Sequence, residues 1–264
     1  MPSGRIRSAE RAVGTGRAVP VLTFHSLDDS GSVISTAPAV FEERMRDLHA
    51  RGFTGVTLGR VVASWRGGAR LPERTLAITF DDGYSNVLTR GVPLLVELGF
   101  SATIFAVAGL LGERNRWDPG GDVPELRLMD GPQLRELVAE GFEVGGHSMS
   151  HPALPGLPAA QLEREVVDSA DHLAATIGAE VRSFAYPFGS VDPAARAAVA
   201  RRYSAACGVR LAEACPEDDP LDLPRLDMYY FRGPVMGRLL GTVASRPYCA
   251  ARRMGRWMRR RVGA

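Results

Sequence analysis

The amino-acid sequence predicts a parallel α/β fold closed as a barrel. Short apolar, β-prone runs alternate with amphipathic helical patterns along most of the chain, which is the rhythm of βα units. No Gly-x-Gly-x-x-Gly follows the first run, which speaks against an open dinucleotide-binding sheet. Acids and imidazoles stand at the ends of several runs, where parallel barrels gather their chemistry.

In chain order, Val19 to His25 (VPVLTFH) reads as a buried strand. Ala37 to Arg51 has helical spacing through Phe41, Met45 and Leu48, with Gly52 at the expected C-terminal cap. Thr57 to Trp65 predicts a short helix, and Arg74 to Phe80 (RTLAITF) a second buried strand. Ser85 to Leu98 reads as one helix stopped by Gly99. Ala102 to Ala108 follows as a strand, then a helix over Asp130 to Glu140 with Asp130 as N-cap, then a strand over Glu143 to His147. Ala159 to Ile177 predicts a long amphipathic helix with Leu162, Val166, Leu173 and Ile177 near one face. Ser183 to Tyr186, Asp192 to Tyr203, Ser204 to Val209 and Leu223 to Met228 read as strand, helix, strand and strand.

A chain of 264 residues suits one large α/β domain. The net charge of +2 argues against a dedicated nucleic-acid binder. All 32 basic residues are Arg, and none of the 30 acidic residues lies beyond Arg232. Cys207, Cys215 and Cys249 form no Cys-x-x-Cys pair, so neither a disulfide framework nor a cysteine zinc site is expected. The N-terminal stretch has no continuous apolar core of a signal peptide, and no apolar run approaches the roughly 20 residues of a membrane span. The expected compartment is therefore the cytoplasm. Residues 1–18 read as a mobile extension, 19–231 as the barrel domain and 232–264 as a basic extension.

The polar residues that end predicted strands are His25, Asp81 with Asp82, His147 with His151, and the turn Tyr186-Pro187-Phe188-Gly189. Adjacent carboxylates repel and call for a positive partner. His147 and His151, in HSMSHP, have a His-x3-His spacing in a strand-end loop that can aim both imidazoles at one point. Two imidazoles and one carboxylate make a common catalytic metal set with an open position. One aspartate would then ligate, and the other would stay free as a general base.

TFDDG, HSMSHP and FAYPFG, in this order, resemble the signature motifs of the polysaccharide deacetylases, the NodB-homology proteins of carbohydrate esterase family 4. The resemblance covers roughly residues 19 to 230. It implies a distorted (β/α) barrel of about seven parallel strands. It also implies removal of N-acetyl groups from N-acetylglucosamine-type glycans with a divalent metal, usually zinc. Cobalt, nickel or manganese would also suit the ligands. By this resemblance Asp81 is the general base, and Asp82, His147 and His151 are the metal ligands. The backbone N–H of Phe188 would hold the oxyanion, and Tyr186, Pro187 and Phe188 would line the acetyl site. Many members have an arginine in the third motif that steadies the base; here Ala185 stands in its place, and Arg225 in LPRLDMYY is the candidate substitute. VLTFHSLDD resembles a permuted subgroup, including enzymes acting on poly-N-acetylglucosamine, in which the first-strand histidine, here His25, is the general acid. Tyr84 is the first candidate for stacking on a sugar ring, ahead of Trp65 and Trp117, with Trp257 last.

The implied substrate is an N-acetylated glycan or glycolipid. Hydrolysis of a non-sugar amide, and a catalytically decayed glycan-binding protein, stand as alternatives. The tail RPYCAARRMGRWMRRRVGA alternates Arg with apolar residues, and peripheral contact with an anionic membrane is one reading of it.

Overall fold

The computed structural model describes residues 17–117, 121, 123–242 and 244–262, with backbone only at 234 and 256–262. The expected N-terminal extension lies almost wholly outside the described residues, and so does the Trp257 side chain. Strands β1 (Val21–Phe24), β2 (Ser26–Leu27) and β3 (Ser35–Thr36) come first, then helix α1 (Pro38–Ala50), β4 (Thr54–Val56), α2 (Leu58–Trp65) and β5 (Thr75–Phe80). Helices α3 (Asn86–Arg90) and α4 (Val92–Glu97) precede β6 (Thr103–Ala106), α5 (Gly131–Ala139) and β7 (Glu143–Gly146). After α6 (Ala159–Leu162), α7 (Ser169–Ile177) and β8 (Ser183–Ala185) come α8 (Pro193–Arg202), β9 (Ala205–Cys207), β10 (Leu226–Asp227), α9 (Pro234–Gly237) and α10 (Ser245–Val262).

Seven parallel strands, in the order β10-β1-β5-β6-β7-β8-β9, curl into the expected distorted barrel, and β4 adds to β5. Residues 75–77 of β5 pair with β4, while Thr79 and Phe80 pair with β6, so β4 and β6 share one edge of β5 and β1 takes the other. Closure between β9 and β10 is irregular. A single parallel bridge ties Cys207 of β9 to Leu223 in the segment leading to β10, with Leu223 N–H on Ala206 O, Gly208 N–H on Leu223 O and Arg225 N–H on Arg210 O.

All six residues of β5 are buried, as a strand covered on both faces requires. Residues on alternate positions divide between two cores. Val21, Ala77, Phe105, Ala185 and Cys207 point into the barrel, where Leu58, Val61 and Val62 of α2 close its lower end. Leu22, Ile78, Ile104, Val144 and Phe184 point outward under the surrounding helices. Below the strands, the Glu143 carboxylate accepts from Gly59 N–H (2.8 Å), Thr103 Oγ1 (2.7 Å) and Ser183 Oγ (2.5 Å), which ties α2 to three strands.

The element readings need four corrections. Ser85 to Leu98 is two helices, broken at Gly91, because Pro93 lacks the N–H that a continuous helix would use. The helix over Ala159–Ile177 contains a π-helical segment, Glu163–Asp168, that periodicity does not reveal. β4 is three residues with a central glycine, too short and too weak in β-propensity to stand out. β2 and β3 pair only with each other, through two residues each.

The basic extension is not detached from the barrel. Tyr248 donates its hydroxyl to Tyr230 O and packs on Phe231, Cys249 is buried, and Arg253 donates to Leu211 O. The Tyr248 and Cys249 ridge of α10 thus faces protein rather than any membrane surface. No helix among the described residues is long and apolar enough to cross a membrane.

Glu143→Ala would leave three donors at the barrel floor without an acceptor. We expect it to lower unfolding free energy by about 2–4 kcal/mol, read by urea denaturation. A change within 0.5 kcal/mol, the order found for neutral surface positions, would mean that water replaces the carboxylate.

Candidate metal centre and active site

Strand alternation carries side chains of one parity into the barrel. His25 continues the inward series Val21, Thr23; Asp81 continues Ala77, Thr79; and His147 continues Gly145. All three therefore arrive at the mouth. Asp82 would point away by the same rule, but its φ of 69° turns the chain back and brings its carboxylate to the same place. Aspartate tolerates this left-handed conformation better than most side chains.

Backbone strain is concentrated at this mouth. The four non-glycine residues with positive φ among the described residues are Asp82, Ser148, His151 and Phe188. Each left-handed residue costs about 1–2 kcal/mol, and such costs persist where surrounding contacts enforce them, commonly at active sites.

The donor atoms converge. Nε2 of His147 and Nε2 of His151 each lie 3.2 Å from Asp82 Oδ1 and 3.2 Å from each other. Ligands around a tetrahedral zinc, at 2.0–2.1 Å from it, stand about 3.3–3.4 Å apart, so the triangle fits such an ion. His147 Nδ1 donates to Ala185 O at 2.7 Å, which leaves Nε2 as the free lone pair for a metal. With no metal bound, burial raises the Asp82 carboxyl, but hydrogen bonds from protonated His147 and His151 Nε2 overcome this and hold it well below the ordinary aspartate value; a metal would take the place of those protons. Trp117 stacks on the His151 ring at 4.3 Å, and Phe188 meets its edge at 4.7 Å.

Asp81 is 3% exposed and carries a two-pronged ion pair with Arg225, Nη1 to Oδ1 at 2.6 Å and Nη2 to Oδ2 at 2.7 Å. Arg225, also 3% exposed, donates Nε–H to Gly208 O and lies over the Phe105 ring. Burial raises the Asp81 carboxyl, and the guanidinium overrides it, so the group rests below its ordinary value. His25 Nε2 stands 3.8 Å from Asp81 Oδ2, with about a quarter of its side chain exposed. These groups line a cavity of about 300 Å³ with Val33, Trp117, Tyr186, Phe188 and Val209 among its walls.

Not every expected residue meets the substrate space. Tyr84 touches the cavity but is fully buried, so its face is closed to a sugar ring; it backs Trp117 instead. Tyr186 lines the cavity with its ring, while its hydroxyl is engaged by Leu221 O at 2.9 Å. Pro187 is buried and shapes the turn without lining the cavity. Trp65 lies at the opposite end of the barrel, as the last residue of α2. Asp227, Val33 and Val209 line the cavity and were not expected. Asp227 had a signal, since it stands two residues after Arg225 and so shares its face, and Val209 had one as the end of the predicted strand Ser204 to Val209, which stops at Cys207 in the structure; Val33 lies in a loop that pattern does not resolve.

Arg225→Met leaves a buried carboxylate without its cation, a loss of about 3–5 kcal/mol at pH 7. The folded pKa of Asp81 is lowered, so the ion pair stabilises above the ordinary aspartate value of about 3.9 and its contribution is lost as pH falls through the lowered value. The stability gap between wild type and variant, from urea unfolding in chelator, should therefore be full at pH 7 and narrow toward pH 3. A gap independent of pH would assign the loss to packing on Phe105.

A family model described as polysaccharide deacetylase matches residues 68–207, just over half of the chain. YxkH of Bacillus subtilis (strain 168), which bears the polysaccharide deacetylase name, is 26% identical over 171 residues, 65% of this chain and 57% of the relative. The chitooligosaccharide deacetylase of Sinorhizobium fredii is 31% identical over 126 residues, 47% of this chain and 50% of the relative. The poly-beta-1,6-N-acetyl-D-glucosamine N-deacetylase of Escherichia coli (strain K12) is 30% identical over 77 residues, 28% of this chain and 12% of the relative. The chain thus spans less than two thirds of the length of these relatives. Among solved structures, IcaB from Ammonifex degensii superposes with a TM-score of 0.71 at 23% identity, covering 84% of this chain and 95% of that one. The Streptococcus pyogenes deacetylase PplD in complex with acetate gives 0.70 at 19% identity, covering 81% and 93%. Fold and family match therefore agree, and the chain belongs to the polysaccharide deacetylase family.

Proposed function

We propose that this protein is a metal-dependent N-deacetylase that hydrolyses the acetamide of an N-acetylhexosamine glycan or glycoconjugate. The observation that carries this reading is the convergence of Asp82, His147 and His151 on one point beside the Asp81–His25 pair. A divalent ion held by those three donors would supply Lewis acidity to the amide carbonyl and acidify a water.

The remaining steps belong to side chains. Asp81 takes the proton of the attacking water, and Arg225 fixes the plane of its carboxylate. The Phe188 N–H is offered to the developing oxyanion from a left-handed turn. His25, 3.8 Å from Asp81, gives a proton to the nitrogen as the C–N bond breaks. Acetate and a free amine result; Asp81 gives up its proton and His25 regains one, directly or through solvent, which restores the starting state. Exposed Phe188, Val33 and Val209 around the mouth suit the apolar face of a pyranose ring.

The Arg225–Asp81 pair, in place of the absent motif arginine, weighs against a decayed site. The ridge of α10 is occupied by the barrel and lends no support to a membrane-held substrate.

With one equivalent of zinc, the protein is expected to release acetate from N-acetylglucosamine oligomers. Asp81→Asn and His25→Ala should each lower kcat by about 10²–10⁴-fold while retaining zinc. His147→Ala should lose the metal itself, read by elemental analysis. Zinc-loaded wild type that releases no acetate from β-1,4- or β-1,6-linked oligomers would sink the glycan reading and favour a non-sugar amide.

A further inference from the structure

Glu165 is a buried carboxylate for which the hydrolysis has no use. It is 5% exposed and lies in the π-helical segment Glu163–Asp168 between α6 and α7. Its Oε2 accepts the N–H groups of Met149 (3.0 Å) and Ser150 (2.8 Å), and its Oε1 accepts Ser150 Oγ (2.8 Å). Met149 and Ser150 are the centre of the loop that joins His147 to His151.

The loop needs such an anchor. Ser148 and His151 both hold positive φ, 65° and 64°, without being glycine. Ser148 Oγ closes the loop on itself by accepting His151 N–H at 2.8 Å. The opposite side is held by Ala108 N–H to Ser148 O and Gly109 N–H to Met149 O. The loop is therefore clasped with its carbonyls toward the turn after β6 and its N–H groups toward Glu165. Left-handed residues persist only where neighbours enforce them, and Glu165 supplies three of these enforcing bonds from one side chain.

The π-helical segment that presents Glu165 is itself braced beneath the metal ligands. Val166 O, within the segment, accepts from Ser169 Oγ (3.0 Å) and Tyr203 OH (3.2 Å). The same Tyr203 hydroxyl lies against Gly146, where an added Cβ would collide with it, one residue before His147. One helical irregularity thus touches the ligand loop at its start and at its centre.

We propose that Glu165 is a positioning residue of the metal centre, which sets the His147–His151 loop in its ligating conformation. The inference rests on the metal reading above. It separates Glu165 from Glu143, a second carboxylate that also accepts three hydrogen bonds but does so at the floor of the barrel.

The test is zinc affinity, measured by competition with a chromophoric chelator, beside the melting temperature of the metal-free protein. Glu165→Gln should weaken zinc binding about 10–100-fold with a folded metal-free state retained. Glu143→Gln should lower the melting temperature and leave zinc affinity within about twofold of wild type. Ser150→Ala, which removes one of the three bonds from an exposed residue, should weaken zinc binding about threefold. If Glu165→Gln loses its fold, the melting curve reports it and Ser150→Ala decides. Wild-type zinc affinity in a folded Glu165→Gln, or in Ser150→Ala when that variant decides, would overturn the inference and leave the metal reading standing. Wild type that binds no zinc would overturn both.

Discussion

Asp81 and Asp82 lie side by side at 3% and 4% exposure, and each buried charge must find a partner. The two solutions differ. Asp81 is neutralised by Arg225, whose planar fork meets both carboxylate oxygens. Asp82 faces two imidazoles in a triangle sized for a divalent ion. Under the proposed function, one carboxylate is thereby kept for proton transfer and its neighbour for ligation, although the residues are adjacent and chemically identical.

The partner of Asp81 also couples the site to closure of the barrel. Arg225 stands in the segment that bridges β9 to β10, with its N–H on Arg210 O and its Nε–H on Gly208 O. That seam has one bridge where a regular barrel would have a ladder. The ion pair from Arg225 across to β5 therefore serves as a strut over the weakest join. Below it, Phe105 and the α2 plug fill the interior with apolar side chains, which keeps water from the charged layer.

The histidine loop shows the same economy of elements. Its left-handed residues are held from two sides, by the turn after β6 and by Glu165, so the imidazoles meet Asp82 without relying on the loop's own preference. Trp117 and Phe188 close over His151 and leave an apolar rim at the mouth.

Local chemistry was sufficient to announce much of this. Apolar runs marked the strands, their ends picked out His25, Asp81 and His147, and the residue types named a metal set. The Asp81–Arg225 pair was legible only as a candidate, because nothing in the sequence ties positions 144 residues apart. Tyr84 looked available beside its motif, yet packing buries it, since the local pattern does not say which face a later loop will cover. Glu165 carried only a faint signal, as a carboxylate on the apolar face of its predicted helix. It stands three residues after Leu162 and beside Val166, but which loop it meets there is decided by packing, with Ser169 and Tyr203 bracing the π-helical segment around it. The sequence by itself determined which groups end the strands, because that depends on the two-residue period of a strand. The tertiary structure alone decided which charges meet and which loops are held, because those depend on long-range closure and packing that no local pattern encodes.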